Sequence, residues 1–216
     1  MAVTNDGTST QASRSAAMRA RLIAAARQSL LDSGWGRTTA VDVCARAGVT
    51  RGALFHHFSG LSELFAATLD EVCKEMGERA REASSHRDAS NTLCAYVDLA
   101  WSLFEHSDFK IVIEVWLAAR NDAELRKKLA PVIERFKLAM TPELNDDLAA
   151  RVGKTANDIA FYRLILEAMI GMALGRAVSP TGQLGHEKKV IALLKELAAA
   201  RAEAKPARKS RIRASS

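Results

Sequence analysis

The chain has 216 residues, 48% of them hydrophobic, which excludes a wholly disordered protein. Only four prolines interrupt a sequence rich in Ala, Leu, Glu, Lys and Arg, so the composition favours helix. The net charge of +6 is uneven: residues 1–60 carry seven arginines against three aspartates, residues 201–216 carry six basic groups against Glu203, and the stretch between is mildly acidic. A basic front on an acidic body fits a polyanion partner at one end; the plainer reading is that the ends are merely solvated.

In chain order, residues 1–13 are small and polar and read as a disordered arm. Met18, Leu22, Ile23, Ala26 and Leu30 then fall at helical spacing, and Gly34 ends that helix. Thr39, with Asp42 three residues on, caps a short second helix that runs to Ala47. Gly48 breaks it, and Thr50 caps a third helix over 51–57. After Ser59 and Gly60 the pattern predicts a long helix over 62–83. Further helices are predicted over 92–106 and 109–119, from about 122 with a bend at Pro131, over 157–178, and over 186–201. The basic tail from 204 to 216 reads as disordered. No alternating strand pattern and no internal repeat is present.

Three isolated cysteines, Cys44, Cys73 and Cys94, lack CxxC spacing and predict reduced thiols in a cytoplasmic protein. No apolar run approaches the roughly 20 residues of a membrane span, and the polar opening lacks a signal-peptide core. No metal-ligand cluster, phosphate loop or nucleophile motif is visible, so neither a cofactor nor an enzyme is expected.

Function concentrates in residues 38–58, TTAVDVCARAGVTRGALFHHF. Helix, tight turn and helix in about twenty residues is the helix-turn-helix layout. Val43, Ala47, Val49 and Leu54 are placed to lock the two helices, with Leu54 and Phe58 facing inward from the second. Arg51, Gly52, Ala53, Phe55 and His56 are then available to DNA, with Thr38, Thr39 and Thr50 as backbone contacts or caps. Arg51 can pair with guanine or phosphate, Gly52 and Ala53 permit close approach, and Phe55 can meet a sugar or a thymine methyl. Each has a plainer alternative: a solvated arginine for Arg51, a helix cap for Thr39, packing for His57.

The run from Arg21 to Phe65 resembles the DNA-binding segment of TetR-family regulators. The shared features are Gly34-Trp35, Thr38-Thr39, the Ala-Gly-Val-Thr of 47–50, the Gly-Ala-Leu-Phe of 52–55 and His57-Phe58. The resemblance spans about residues 18–70. It implies an all-α fold: a three-helix DNA-binding domain over 14–60, then a larger helical domain over 61–203 for effector binding and dimerisation. It implies a homodimer on a double-stranded DNA operator, most simply a repressor released by a small-molecule effector. Two departures stand out: Phe55 replaces a common Tyr that reaches phosphate, and Leu61 replaces a common Lys. They leave open a second reading, a helical ligand-binding protein with weakened DNA binding.

In the body, Trp101, Phe104, Trp116 and Tyr162 are candidates to line an effector pocket, although an ordinary helical core explains each of them singly. The helix over 157–178 is apolar nearly all round, which predicts burial on every side and hence a subunit interface. Phe161, Leu164, Ile165, Ala168 and Met172, with Leu193 and Leu197 of the last helix, are the candidate seam.

Overall fold

The computed structural model describes residues 6–85 and 92–204. Among them there is no strand, and the chain forms ten α-helices. They are α1 Asp6–Ser33, α2 Ala40–Ala47, α3 Arg51–His57, α4 Leu61–Ser85, α5 Thr92–Phe104, α6 Asp108–Ala119, α7 Ala123–Met140, α8 Asp146–Val152, α9 Ala156–Val178 and α10 Glu187–Ala204. A 3-10 turn, Trp35–Arg37, joins α1 to α2. The all-α expectation holds.

Helix starts follow side-chain capping. Thr39, Thr50, Asp122, Asn145 and Thr155 each accept a hydrogen bond from the backbone N–H three residues on. Thr155 and Asp158 cap α9 reciprocally. Gly48 ends α2 in the left-handed conformation at φ 60°, which an L side chain adopts only at a cost.

Three differences from the sequence reading concern the elements. α1 begins at Asp6, inside the stretch expected to be a disordered arm. Residues 11–17 of this helix are exposed. α7 runs unbroken through Pro131. The seven-residue α8, capped by Asn145, is too short to show a period and was not foreseen. Of the tail expected over 204–216, Ala204 ends α10, and 205–216 lie outside the described residues.

The front helices pack around Leu22, Val43, Leu54 and Phe58, all nearly inaccessible to solvent. The body packs around Val97, Val112, Leu129, Ile165 and Met169. α4 packs against α1 on one side and α7 on the other, and α10 lies along α5. Contacts that join front to body include an Arg27–Glu75 ion pair at 2.9 Å and the following three. Trp35 packs against Phe65 with ring centroids 4.6 Å apart and the rings tilted by 52°. The Trp35 backbone N–H donates to the Glu114 carboxylate on α6. Asp108, at the start of α6 and only 1% exposed, accepts from Arg27 of α1 at 2.5 and 3.0 Å and from Arg79 of α4 at 3.1 Å.

Candidate nucleic-acid interface and effector groove

The helix-turn-helix assembles from local chemistry. Thr39 and Thr50 start its two helices, Gly48 turns between them, and Arg21 of α1 caps the end of the first. Its Nε donates to the Ala47 carbonyl at 2.6 Å and its Nη2 to the Gly48 carbonyl at 2.9 Å. Leu54 and Phe58 anchor α3 in the core. The Arg19 guanidinium sits 4.2 Å from the Phe58 ring centroid and donates to the His57 carbonyl at 2.6 Å. α3 is therefore held at both ends while its outer face stays open.

That outer face holds Thr50, Arg51, Gly52, Phe55 and His56, all exposed, with Ala53 half-buried behind them. Phe55 is 45% exposed, unusual for an aromatic residue without a partner surface. Among the described residues Arg51 has no acidic partner; its guanidinium lies 5.9 Å from the Phe55 ring centroid. Arg27 and Arg46 are committed elsewhere: Arg27 faces Asp108, and Arg46 pairs with Asp32 at 2.7 Å and Asp42 at 2.9 Å. The basic front is thus sorted into arginines that hold the fold and an arginine on the recognition face.

Two expected positions behave differently from the rest. Thr39 is exposed, but its hydroxyl accepts from the Asp42 N–H. Thr38 is buried, 6% exposed; its hydroxyl accepts from Ser29 at 2.9 Å and donates to the Gly34 carbonyl at 2.8 Å. Thr38 therefore fastens the joint between α1 and α2 and does not share the open face with Arg51. Leu61 is half-buried against the core.

The four aromatic pocket candidates are not brought together. Tyr162 is buried against Tyr96, ring centroids 5.1 Å apart, and donates to the Met140 carbonyl at 2.6 Å. Phe104 is buried edge-on to Phe109. Trp101 lies half-buried under the Arg176 guanidinium, 5.4 Å from its ring centroid. Only Trp116 reaches an apolar groove of ≈ 700 Å³ between α6, α7 and α9. Its wall is Trp116, Ile133, Phe136, Met140 and Leu166, and its rim is Arg120, Arg126, Lys137 and Arg163. The rim cations escaped the sequence reading because they come from separate helices and share no local pattern.

The candidate seam divides by helix face. Phe161, Ile165 and Met172 are buried within the chain, and Ala168 is half-buried. Leu164 is 51% exposed, Leu193 55% and Leu197 42%. Gly171, Leu174 and Val178 extend the exposed row on α9 from Leu164 at seam-like spacing. No group of three or more His, Cys, Asp or Glu placed to hold a metal occurs among the described residues. No helix among them is long and apolar enough to cross a membrane.

Fold and the open face of α3 together define an all-α protein with a helix-turn-helix at its front. Residues 22–68 match the model of the bacterial regulatory proteins, tetR family. The chain is 33% identical to the HTH-type transcriptional regulator CymR of Pseudomonas putida over 61% of its own length and 65% of CymR, just under two thirds of that relative. It is 28% identical to an uncharacterized HTH-type transcriptional regulator of Mycobacterium bovis over 83% of this chain and 92% of that one. The crystal structure of a transcriptional regulator from Rhodococcus sp. Rha1 shares the fold, with a TM-score of 0.63 at 21% identity, covering 85% of this chain and 94% of that chain. The family match thus covers the helix-turn-helix segment, and the relatives that share it are HTH-type transcriptional regulators.

Proposed function

We propose that the chain acts as a homodimeric repressor that binds a near-palindromic operator and is released by a small molecule. The observation that carries the DNA half is the outer face of α3, where Arg51 stands without an acidic partner beside exposed Thr50, Phe55 and His56. A helix carrying a cation and small residues on its open side fits a major groove. The dimer half is supported by the exposed leucines of α9 and α10, which a second copy would cover. Two such copies would set their recognition helices in successive major grooves about 34–36 Å apart.

Release is supported by the position of α6. One end of this helix lines the groove through Trp116 and Arg120, while Asp108 and Glu114 hold the DNA-binding front. A ligand that favours a displaced α6 would shift the population towards a wrong spacing of the two fronts. We propose that residues 14–60 serve DNA binding and 61–203 serve ligand and partner, the division expected from the sequence. The setting is the cytoplasm, and no catalytic role is proposed.

The second reading, a ligand-binding protein with weakened DNA binding, draws on Phe55, which has no hydroxyl, and on half-buried Leu61. An anisotropy titration separates the two, using the DNA flanking the gene against scrambled DNA at two salt concentrations. Selective binding at two chains per site, weakened about tenfold or more by Arg51→Ala, is the expected result. Equal weak binding to both probes would favour the second reading.

A further inference from the structure

We infer that the groove between α6, α7 and α9 binds an amphipathic organic anion, a carboxylate carried on an apolar body. Its role as the releasing effector rests on the regulator proposed above; the binding itself does not.

The apolar side of the argument is coverage. Trp116, Ile133, Phe136, Met140 and Leu166, from the three helices that form the groove, are all only half-buried. Trp116 and Phe136 meet edge to face, ring centroids 5.6 Å apart, and form an angled apolar corner for a ring or chain. A volume of ≈ 700 Å³ is within the range of sites that hold small organic ligands.

The charge side is more selective. Arg120, Arg126, Lys137 and Arg163 all line the groove, and no acidic residue does. Arg126 is engaged with main chain, donating to the Ala119 and Arg120 carbonyls at 3.1 and 3.2 Å. Lys137 pairs with Glu134 at 2.9 Å and Arg163 with Glu143 at 3.2 Å, both in exposed pairs that exchange readily. Arg120 is exposed and has no acidic partner among the described residues. An apolar cleft rimmed by cations concentrates negative ligands, and an arginine without a partner can take a carboxylate through two parallel hydrogen bonds. An ammonium group of the same shape meets repulsion there, and a hydroxyl gains little.

The test uses the purified full-length chain without DNA and a matched set: 4-phenylbutanoate, 4-phenylbutylamine and 4-phenylbutanol, with octanoate, octylamine and octanol as a chain-like set. Binding is read by tryptophan quenching, with Trp116→Phe to locate the signal, and by calorimetry. The expected result is that the carboxylates bind at least about tenfold tighter than the amines and alcohols, and that added salt narrows the gap. The Arg120→Gln, Arg163→Gln double variant, altered only at exposed positions, is expected to melt like the parent. It should lose about tenfold in carboxylate affinity and keep its alcohol affinity. Amines or alcohols that match the carboxylates would overturn the inference. So would no binding by any member up to about 1 mM, or an unchanged preference in the double variant. Carboxylate binding that leaves operator affinity untouched would uphold the site and overturn its role as effector.

Discussion

At residue 55 a single atom is expected to set an affinity. It is 45% exposed on the recognition face, and its ring has no oxygen to offer a phosphate. Phe55→Tyr adds that hydroxyl at an open position without disturbing the core. The expected outcome is tighter operator binding and a salt dependence steeper by about one unit, measured by anisotropy across a salt series. Loss of affinity would show that the bare ring is itself in contact with the DNA. Thr38 illustrates the opposite case. Its sequence neighbours are exposed, and the sequence gives no sign that Ser29, nine residues earlier, turns its hydroxyl inward. Burial set by a partner on another helix is a tertiary fact that local reading does not reach.

Among the elements, the helix-turn-helix was legible almost to the residue because its information is local. Thr39, Gly48 and Thr50 each act through backbone groups within a few residues. Gly48→Ala tests this: the new Cβ would sit in the left-handed conformation 3.2 Å from Arg21 Nη2. The expected loss is about 1–2 kcal/mol, a fall in Tm of several degrees, with any fall in DNA affinity tracking the loss of folded protein. α9 was legible as apolar but not as two-faced. Phe161, Ile165 and Met172 point into the chain while Leu164 points out, and hydrophobicity alone does not separate a core face from a partner face. The groove was least legible: its wall and rim are assembled from α6, α7 and α9 only when the helices pack.

At the scale of the whole molecule, two predictions concern how parts are joined. Leu164→Glu with Leu193→Glu places charge on residues that are 51% and 55% exposed in the single chain, so the fold should persist. Light scattering should then report a monomer, and tight binding to a two-half-site operator should fall with it; a persistent dimer would place the seam elsewhere. The second prediction concerns Asp108. Burial pushes its carboxyl up, but Arg27, Arg79 and His106 outweigh this and hold it below the ordinary carboxylate value. A depressed folded-state value gives stability that is present above the unfolded value, near 3.9, and is lost as pH falls through the folded one. Asp108→Asn should therefore cost about 1–2 kcal/mol at neutral pH, with the gap to the parent closing below about pH 4 in thermal melts. A gap that stays constant with pH would mean the carboxylate charge contributes nothing.

Two of the polar joints between front and body differ in kind. Glu114 grips a main-chain N–H, that of Trp35, directly after Gly34, where any added Cβ would lie 3.3 Å from the same carboxylate. Asp108 instead grips a particular side chain, Arg27. The first joint is generic and the second is keyed. A chimera carrying the DNA-reading front of another regulator on this body would keep the Glu114 joint with any residue other than proline following its glycine. It would leave Asp108 short of its closest cation unless the graft also brought an arginine at the position of Arg27. Modular exchange of the front is thus expected to depend on Arg27, which meets both Asp108 and Glu75 and lies well away from the open face of α3.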